Sequence, residues 1–148
     1  MSAPVSAPRR IVLHALALLA CLVACAVHAQ DPRAGVVQRA AREWLALTDR
    51  QDAAASFAAA GDKFRAPITQ DEWTNALAKA RAPLGAVMQR AIVETAFDRA
   101  GTPDGGPEVD IVVILFRTAF ANKIASTESV TLARDADGTW RVIGYFIR

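Results

Sequence analysis

Beyond position 28 the chain contains no cysteine and no histidine; the two of each that it has are Cys21, Cys25, His14 and His28. That absence closes off several chemistries for everything downstream. A disulfide, a cysteine nucleophile and a Ser-His-Asp triad are excluded. So are a zinc site built from imidazole or thiolate and ordinary haem ligation by His or Cys. Tyrosine is nearly absent too: Tyr145 is the only one. Excess charge is the third thing lacking. The chain carries 17 Lys+Arg against 15 Asp+Glu, and without Arg9 and Arg10 the basic count falls to 15. A neutral domain with no basic stripe is a poor nucleic-acid binder.

The early cysteines and histidines fall in a distinct segment. Residues 1–10 are polar and carry Arg9 and Arg10, and "IVLHALALLACLVACAV" (11–27) is almost wholly apolar. Small residues Val27 and Ala29 precede Gln30 at the spacing a signal peptidase favours. The run is short for a membrane span, which takes roughly 20 apolar residues. The expectation is a signal peptide over 1–29, cleavage after Ala29 and a periplasmic or secreted domain over 30–148, with the membrane met only through the leader. A rival lies in "LVAC" (Leu22–Cys25), which has the look of a lipoprotein box that would anchor the chain through a lipid on Cys25. An uncleaved anchor is the third option.

The first half of the remainder reads as helix. Val37, Ala40, Ala41, Trp44 and Leu47 recur at three- and four-residue steps and form one apolar stripe. The Ala-rich "DAAASFAAAGDKF" reads as helix as well, with Phe57 and Phe64 two turns apart; a short helix over Ala53 to Ala60 stops near Gly61. Thr69 followed by Glu72 is a capping box that opens a third helix. That helix has Trp73, Ala76, Leu77 and Ala80 along its stripe, and "RAPLG" ends it.

The second half switches to a period of two. Val87, Ala91, Val93 and Phe97 fall on one face, with Met88, Arg90, Ile92 and Glu94 on the other. "VDIVVILFRTAF" is apolar on both faces and reads as a central strand. "ESVTLAR" alternates with Val130 and Leu132 inward, and "DADG" closes a hairpin. In the last strand Trp140, Val142, Gly144 and Phe146 alternate with Arg141, Ile143, Tyr145 and Ile147. The first set is expected to close the core, and the second to meet a partner or another covered surface. Three N-terminal helices packed on a curved four-stranded antiparallel sheet is an α+β plan. Its sheet would curl over the helices and enclose a cone-shaped cavity.

Several of these stretches together resemble a known family. A Trp in the third helix (Trp73), "PLG" (Pro83–Gly85), "FANK" (Phe120–Lys123), Glu128 two residues before Val130 and the closing "WRVIGY" (Trp140–Tyr145) are similar to the bacterial domain-of-unknown-function family numbered 4019. Its members are small exported proteins. The resemblance implies a fold like that of the nuclear transport factor two superfamily, and it implies no activity, catalytic residue or cofactor.

Three functional readings follow. In the first, a non-enzymatic domain binds a small apolar ligand or a protein partner in or around the cavity, through Trp44, Trp73, Phe116, Asn122, Lys123 and Tyr145. Trp44, Trp73 and Trp140 are equally explicable as core, and Asn122 as support for a turn. In the second, a small isomerase or dehydratase uses Glu94 or Glu128 as base and Tyr145 as donor; Glu94 can equally pair with Arg90 on a solvated face. In the third, two copies pair through Arg141, Ile143, Tyr145 and Ile147. Asp135 and Asp137 sit close together but supply too few oxygens for calcium, so no metal is expected.

Overall fold

The structure is a computed structural model that describes residues 31–101 and 105–148; the leader expected over 1–29, with its cysteines and histidines, lies outside them. Four helices come first: α1 (Ala34–Asp49), α2 (Ala53–Ala59), α3 (Asp62–Arg65) and α4 (Gln70–Arg81). Four strands follow: β1 (Val87–Ala100), β2 (Val109–Phe120), β3 (Lys123–Arg134) and β4 (Trp140–Ile147). The strands form one antiparallel sheet in the order β1-β2-β3-β4. Among the described residues no helix is long and apolar enough to cross a membrane. The α+β plan therefore holds, with one helix more than expected.

α1 lies across the sheet and touches all four strands. Its buried line is Val37, Ala41, Trp44, Leu45 and Thr48. It meets the row Val112, Ile114 and Phe116 of β2 and Val130 and Leu132 of β3, all but inaccessible to solvent. α4 begins as expected: Thr69 Oγ1 accepts from the Glu72 N–H, and the Glu72 carboxylate accepts from the Thr69 N–H.

The extra helix arises at Gly61. The Ala-rich run does not continue to Phe64, because Ala60 and Gly61 are extended and the Gly61 N–H bonds the Val142 carbonyl at 2.8 Å. A Cβ at Gly61 would sit 3.3 Å from Arg141 Cβ and Ile143 Cγ2, so a side chain there would push the helical layer and β4 apart by a few tenths of an ångström. Phe57 and Phe64 still meet, edge to face at 6.5 Å, from two separate helices.

Two β-bulges reassign the strand faces. In β1, Ile92 pairs with Phe116 but Glu94 with Leu115, leaving Val93 as the extra residue. Arg90, Ile92, Thr95 and Phe97 consequently share the inner side, opposite the buried positions of β2, while Glu94 is exposed on the outer side. In β4, Leu132 pairs with Val142 but Thr131 with Gly144, so Ile143 and Gly144 together face one residue. Tyr145 opposite Val130 and Ile147 opposite Glu128 thereby turn inward with Trp140 and Val142. Phe146, expected in the core, is 67% exposed. The even alternation read from the sequence fails at these points, and again at Met88 between the Val87–Phe120 and Gln89–Ala119 pairs, because an extra residue restores the other face beyond it.

"FANK" and "PLG" form a single contact. The turn after β2 bonds the loop after α4 through the Ala121 N–H to the Ala86 carbonyl (2.8 Å) and the Asn122 N–H to the Leu84 carbonyl (2.9 Å). The Asn122 side-chain amide donates to the Pro83 carbonyl at 3.1 Å. Gly85 has φ +73 and packs beside Asn122, a backbone shape that glycine adopts without strain.

Candidate functional site

The interior between helices and sheet is filled by aromatic rings. Trp44 packs on Tyr145 at 5.2 Å, on Trp73 at 5.9 Å and on Phe64 at 6.0 Å, while Phe64 and Trp73 meet edge to face at 4.9 Å. Both indole N–H groups are satisfied by one residue. Trp44 Nε1 donates to the Ser56 carbonyl and Trp73 Nε1 to Ser56 Oγ, each at 2.9 Å. Trp73 and Phe116 are thus packed core rather than walls of a cavity. Asn122 and Lys123 are exposed at the β2–β3 turn, away from those rings, with Asn122 spent on the contact to Pro83.

Beside the rings lies a buried charged cluster. Glu128 is wholly buried, and its two oxygens accept from four side chains. Its Oε1 takes Tyr145 Oη at 2.6 Å, Arg81 Nη1 at 3.2 Å and Arg90 Nη2 at 3.2 Å. Its Oε2 takes Arg90 Nε at 2.6 Å and the Thr118 hydroxyl. Asp49, at the end of α1, holds the far side of both guanidiniums: Arg81 Nη2 at 2.8 Å and Arg90 Nη1 at 2.7 Å. Arg81 is only 3% exposed and lies over the Phe120 ring at 4.7 Å. Two cations face two anions, so the cluster is neutral as well as bonded. Burial lowers the basicity of Arg90, but its hydrogen bonds to Asp49 and Glu128 outweigh it and hold the guanidinium above its ordinary value.

This arrangement decides the acid–base reading. The Glu128–Tyr145 contact exists, but every lone pair of Glu128 is in use, and removing its charge would leave two guanidiniums to Asp49 alone. Tyr145 is driven above the ordinary tyrosine range by burial first, then by the Glu128 charge and its hydrogen bond. It also accepts from Arg81 Nη1 at 3.2 Å. Glu94, the other candidate base, is on the outer side of the sheet, away from Tyr145 and unpaired with Arg90. The pairing face of Arg141, Ile143, Tyr145 and Ile147 does not exist as a surface either, since Tyr145 packs against Trp44 and Trp73.

Space opens instead at the other end of β3 and β4. A groove of about 340 Å³ lies between α1, α2 and the start of β4, floored by Trp44, Leu47, Leu132, Trp140 and Val142. Its charged lining is Glu43 and Arg141. Arg141 is held by Asp135 at 2.6 Å and Asp137 at 2.8 Å. Those bonds raise the guanidinium and, with the Thr139 N–H, pull Asp137 well below the usual carboxylate range. Among the described residues no group of three or more Asp or Glu is placed to hold a metal ion.

Three members of the charged cluster went unread in the sequence, though the signal was there. Arg81 continues the four-residue steps of Trp73 and Leu77, and Asp49 those of Ala41 and Leu45. Arg90 shares a face with Ile92, as the alternation implied. Comparison with known proteins supports the motif reading. No curated protein and no solved structure matches the chain. A family described as "Protein of unknown function (DUF4019)" matches residues 40–145, which takes in α1 from Ala40, the charged cluster, the groove and both docked loops. The chain belongs to the DUF4019 family.

Proposed function

We propose that the chain is an exported, non-enzymatic binding domain that takes a small apolar or amphipathic ligand in the groove between α1 and β4. The leader over 1–29 would deliver it to the periplasm, and the helices-on-sheet plan would be a filled version of the nuclear transport factor two-like cone. The carrying observation is the groove of about 340 Å³. Small-ligand pockets run from roughly 300 to 1,000 Å³ and are mostly apolar with a few placed polar groups. Trp44 keeps its assigned part, now as the floor of this groove, with Trp140 beside it. The saturation of Glu128 favours binding over proton transfer.

The test uses N-phenylnaphthylamine, a neutral apolar probe, titrated against the purified chain. The expected result is saturable probe fluorescence with quenching of tryptophan emission, lost in Ala40→Trp, which fills the groove from α1, or in Thr139→Tyr, which fills it from the hairpin. Probe binding that both variants leave intact places the ligand elsewhere and sinks the reading. Cell fractionation checks export separately, a cytoplasmic location being the contrary outcome.

A further inference from the structure

The groove does not end at Arg141. A second hollow of about 350 Å³ shares Ala40, Glu43, Thr139 and Trp140 with the first and carries on past them to Val36, Arg39 and Gly138. The two form one trough, and its walls advance in step. On α1 the lining is two adjoining rows at four-residue spacing, Val36–Ala40–Trp44 and Arg39–Glu43–Leu47. On the facing wall it runs from Gly138 to Val142, out of the hairpin and into β4. From Val36 to Leu47 a helix rises roughly 16 Å, at ~1.5 Å per residue. From Gly138 to Val142 a strand spans roughly 13 Å, at ~3.3 Å per residue. The trough is therefore long, but only one helix face and one strand wide. Its Leu47 end is carbon, lined by Ala59, Leu132 and Val142, and its Val36 end carries Arg39 and the hairpin turn. Charge is balanced around it. Arg39, Arg141 and Arg134, which bonds the Gly138 carbonyl, stand against Glu43, Asp135 and Asp137. An uncharged body suits such walls, and contact with carbon is left to set its affinity.

We propose that the ligand of this trough is a single straight alkyl chain of about twelve carbons, its tail against Leu47 and Val142 and its polar end beside Arg39 and the β3–β4 hairpin. An extended zigzag chain advances about 1.2 Å per bond, as a polypeptide does at ~3.3–3.6 Å per three-bond residue, so the full length holds roughly eleven to thirteen bonds. The first hollow alone is shorter. Ala40 to Leu47 and Thr139 to Val142 each span roughly 10 Å, room for about eight carbons. The inference rests on the groove being the binding site, and it adds the shape and length of the ligand.

The experiment displaces N-phenylnaphthylamine with straight-chain primary alcohols of six, eight, ten and twelve carbons, which carry no charge. In the unaltered chain each added carbon is expected to lower the displacing concentration about three- to fourfold, up to dodecanol. Val36→Trp and Arg39→Trp each fill the second hollow and leave the first open. Both positions are exposed on α1, so folding is not at stake. In these variants octanol is expected to displace the probe as it does from the unaltered chain, while the gain stops near eight carbons. Dodecanol should then lose at least tenfold. A gain that already stops at eight carbons in the unaltered chain, or that continues to twelve in both variants, overturns the linear-chain assignment and leaves the groove standing. So does an equal loss for octanol and dodecanol in both variants. Failure of the neutral probe to bind overturns the groove as well.

Discussion

The two ends of the helix–sheet interface are sealed by opposite means. At the end where β3 begins and β4 finishes, Asp49, Arg81, Arg90, Thr118 and Glu128 close the layer with a bonded, charge-balanced cluster. At the other end Trp44, Leu47 and Trp140 close it with carbon, and the closure is incomplete, leaving the groove. Tyr145 belongs to both: its ring packs on Trp44 and its hydroxyl bonds Glu128. A charged closure is all or nothing, since a buried ion that loses its partner costs several kcal/mol. An apolar closure degrades gradually and tolerates a gap. The end able to vary without unfolding the domain is therefore the apolar one, where the proposed ligand would sit.

Substitutions can break this contrast, and the charged end is expected to respond most. Glu128→Ala leaves two guanidiniums with only Asp49 between them and is expected to cost about 3–5 kcal/mol in urea unfolding. That is a large part of the roughly 5–15 kcal/mol that holds a domain of this kind. A loss under about 1 kcal/mol would mean that the cluster is solvated in solution. Ser56→Ala attacks the aromatic side by stranding the Trp73 indole N–H, at an expected cost of about 1–3 kcal/mol. A blue-shifted tryptophan emission spectrum would accompany it.

Tyr145→Phe tests the joint between the two ends. It is expected to cost about 1–2 kcal/mol near neutral pH, because Glu128 keeps its bonds to Arg81, Arg90 and Thr118. It should also change the alkaline limb of stability. The folded protein holds the Tyr145 proton after the unfolded chain, at the ordinary value of 10.0, has released it. Stability is therefore intact below that pH and falls as pH climbs from 10.0 toward the raised folded value. A phenylalanine ring in its place has no proton to lose, so the variant's profile is flatter there. Phenolate absorbance of the sole tyrosine follows the same titration directly, and a midpoint at or below 10.0 would contradict the buried contact. The smallest effect belongs to Phe146→Ser, expected under about 1 kcal/mol because the ring is exposed. A cost near ~4 kcal/mol, typical of a core phenylalanine, would restore the unbulged strand.

Much of this was legible because helix and strand periods announce themselves. The Thr69–Glu72 box, the stripe of α1 and the inward Val130 and Leu132 all follow from local chemistry. Glu128 lies two residues before Val130 and so had to point inward too, and Arg81 and Asp49 extend apolar rows at helical spacing. Nothing in one chain's alternation says that inward charges will find one another, because Asp49 and Arg81 come from helices and Glu128 and Arg90 from strands far along the sequence. The bulges were illegible for a different reason. Val93 and Ile143 are ordinary strand residues, and only pairing with the neighbouring strand reveals that each has no partner of its own.

Those two residues have a consequence for how the domain can change its length. Removing a residue from a regular strand turns over every side chain beyond the cut. Removing Val93 or Ile143 does not: Glu94 still faces Leu115, Tyr145 still faces Val130, and what is lost is a local bend. At Val93 and Ile143 the sheet therefore has positions where a codon can vanish and the same side chains still look inward.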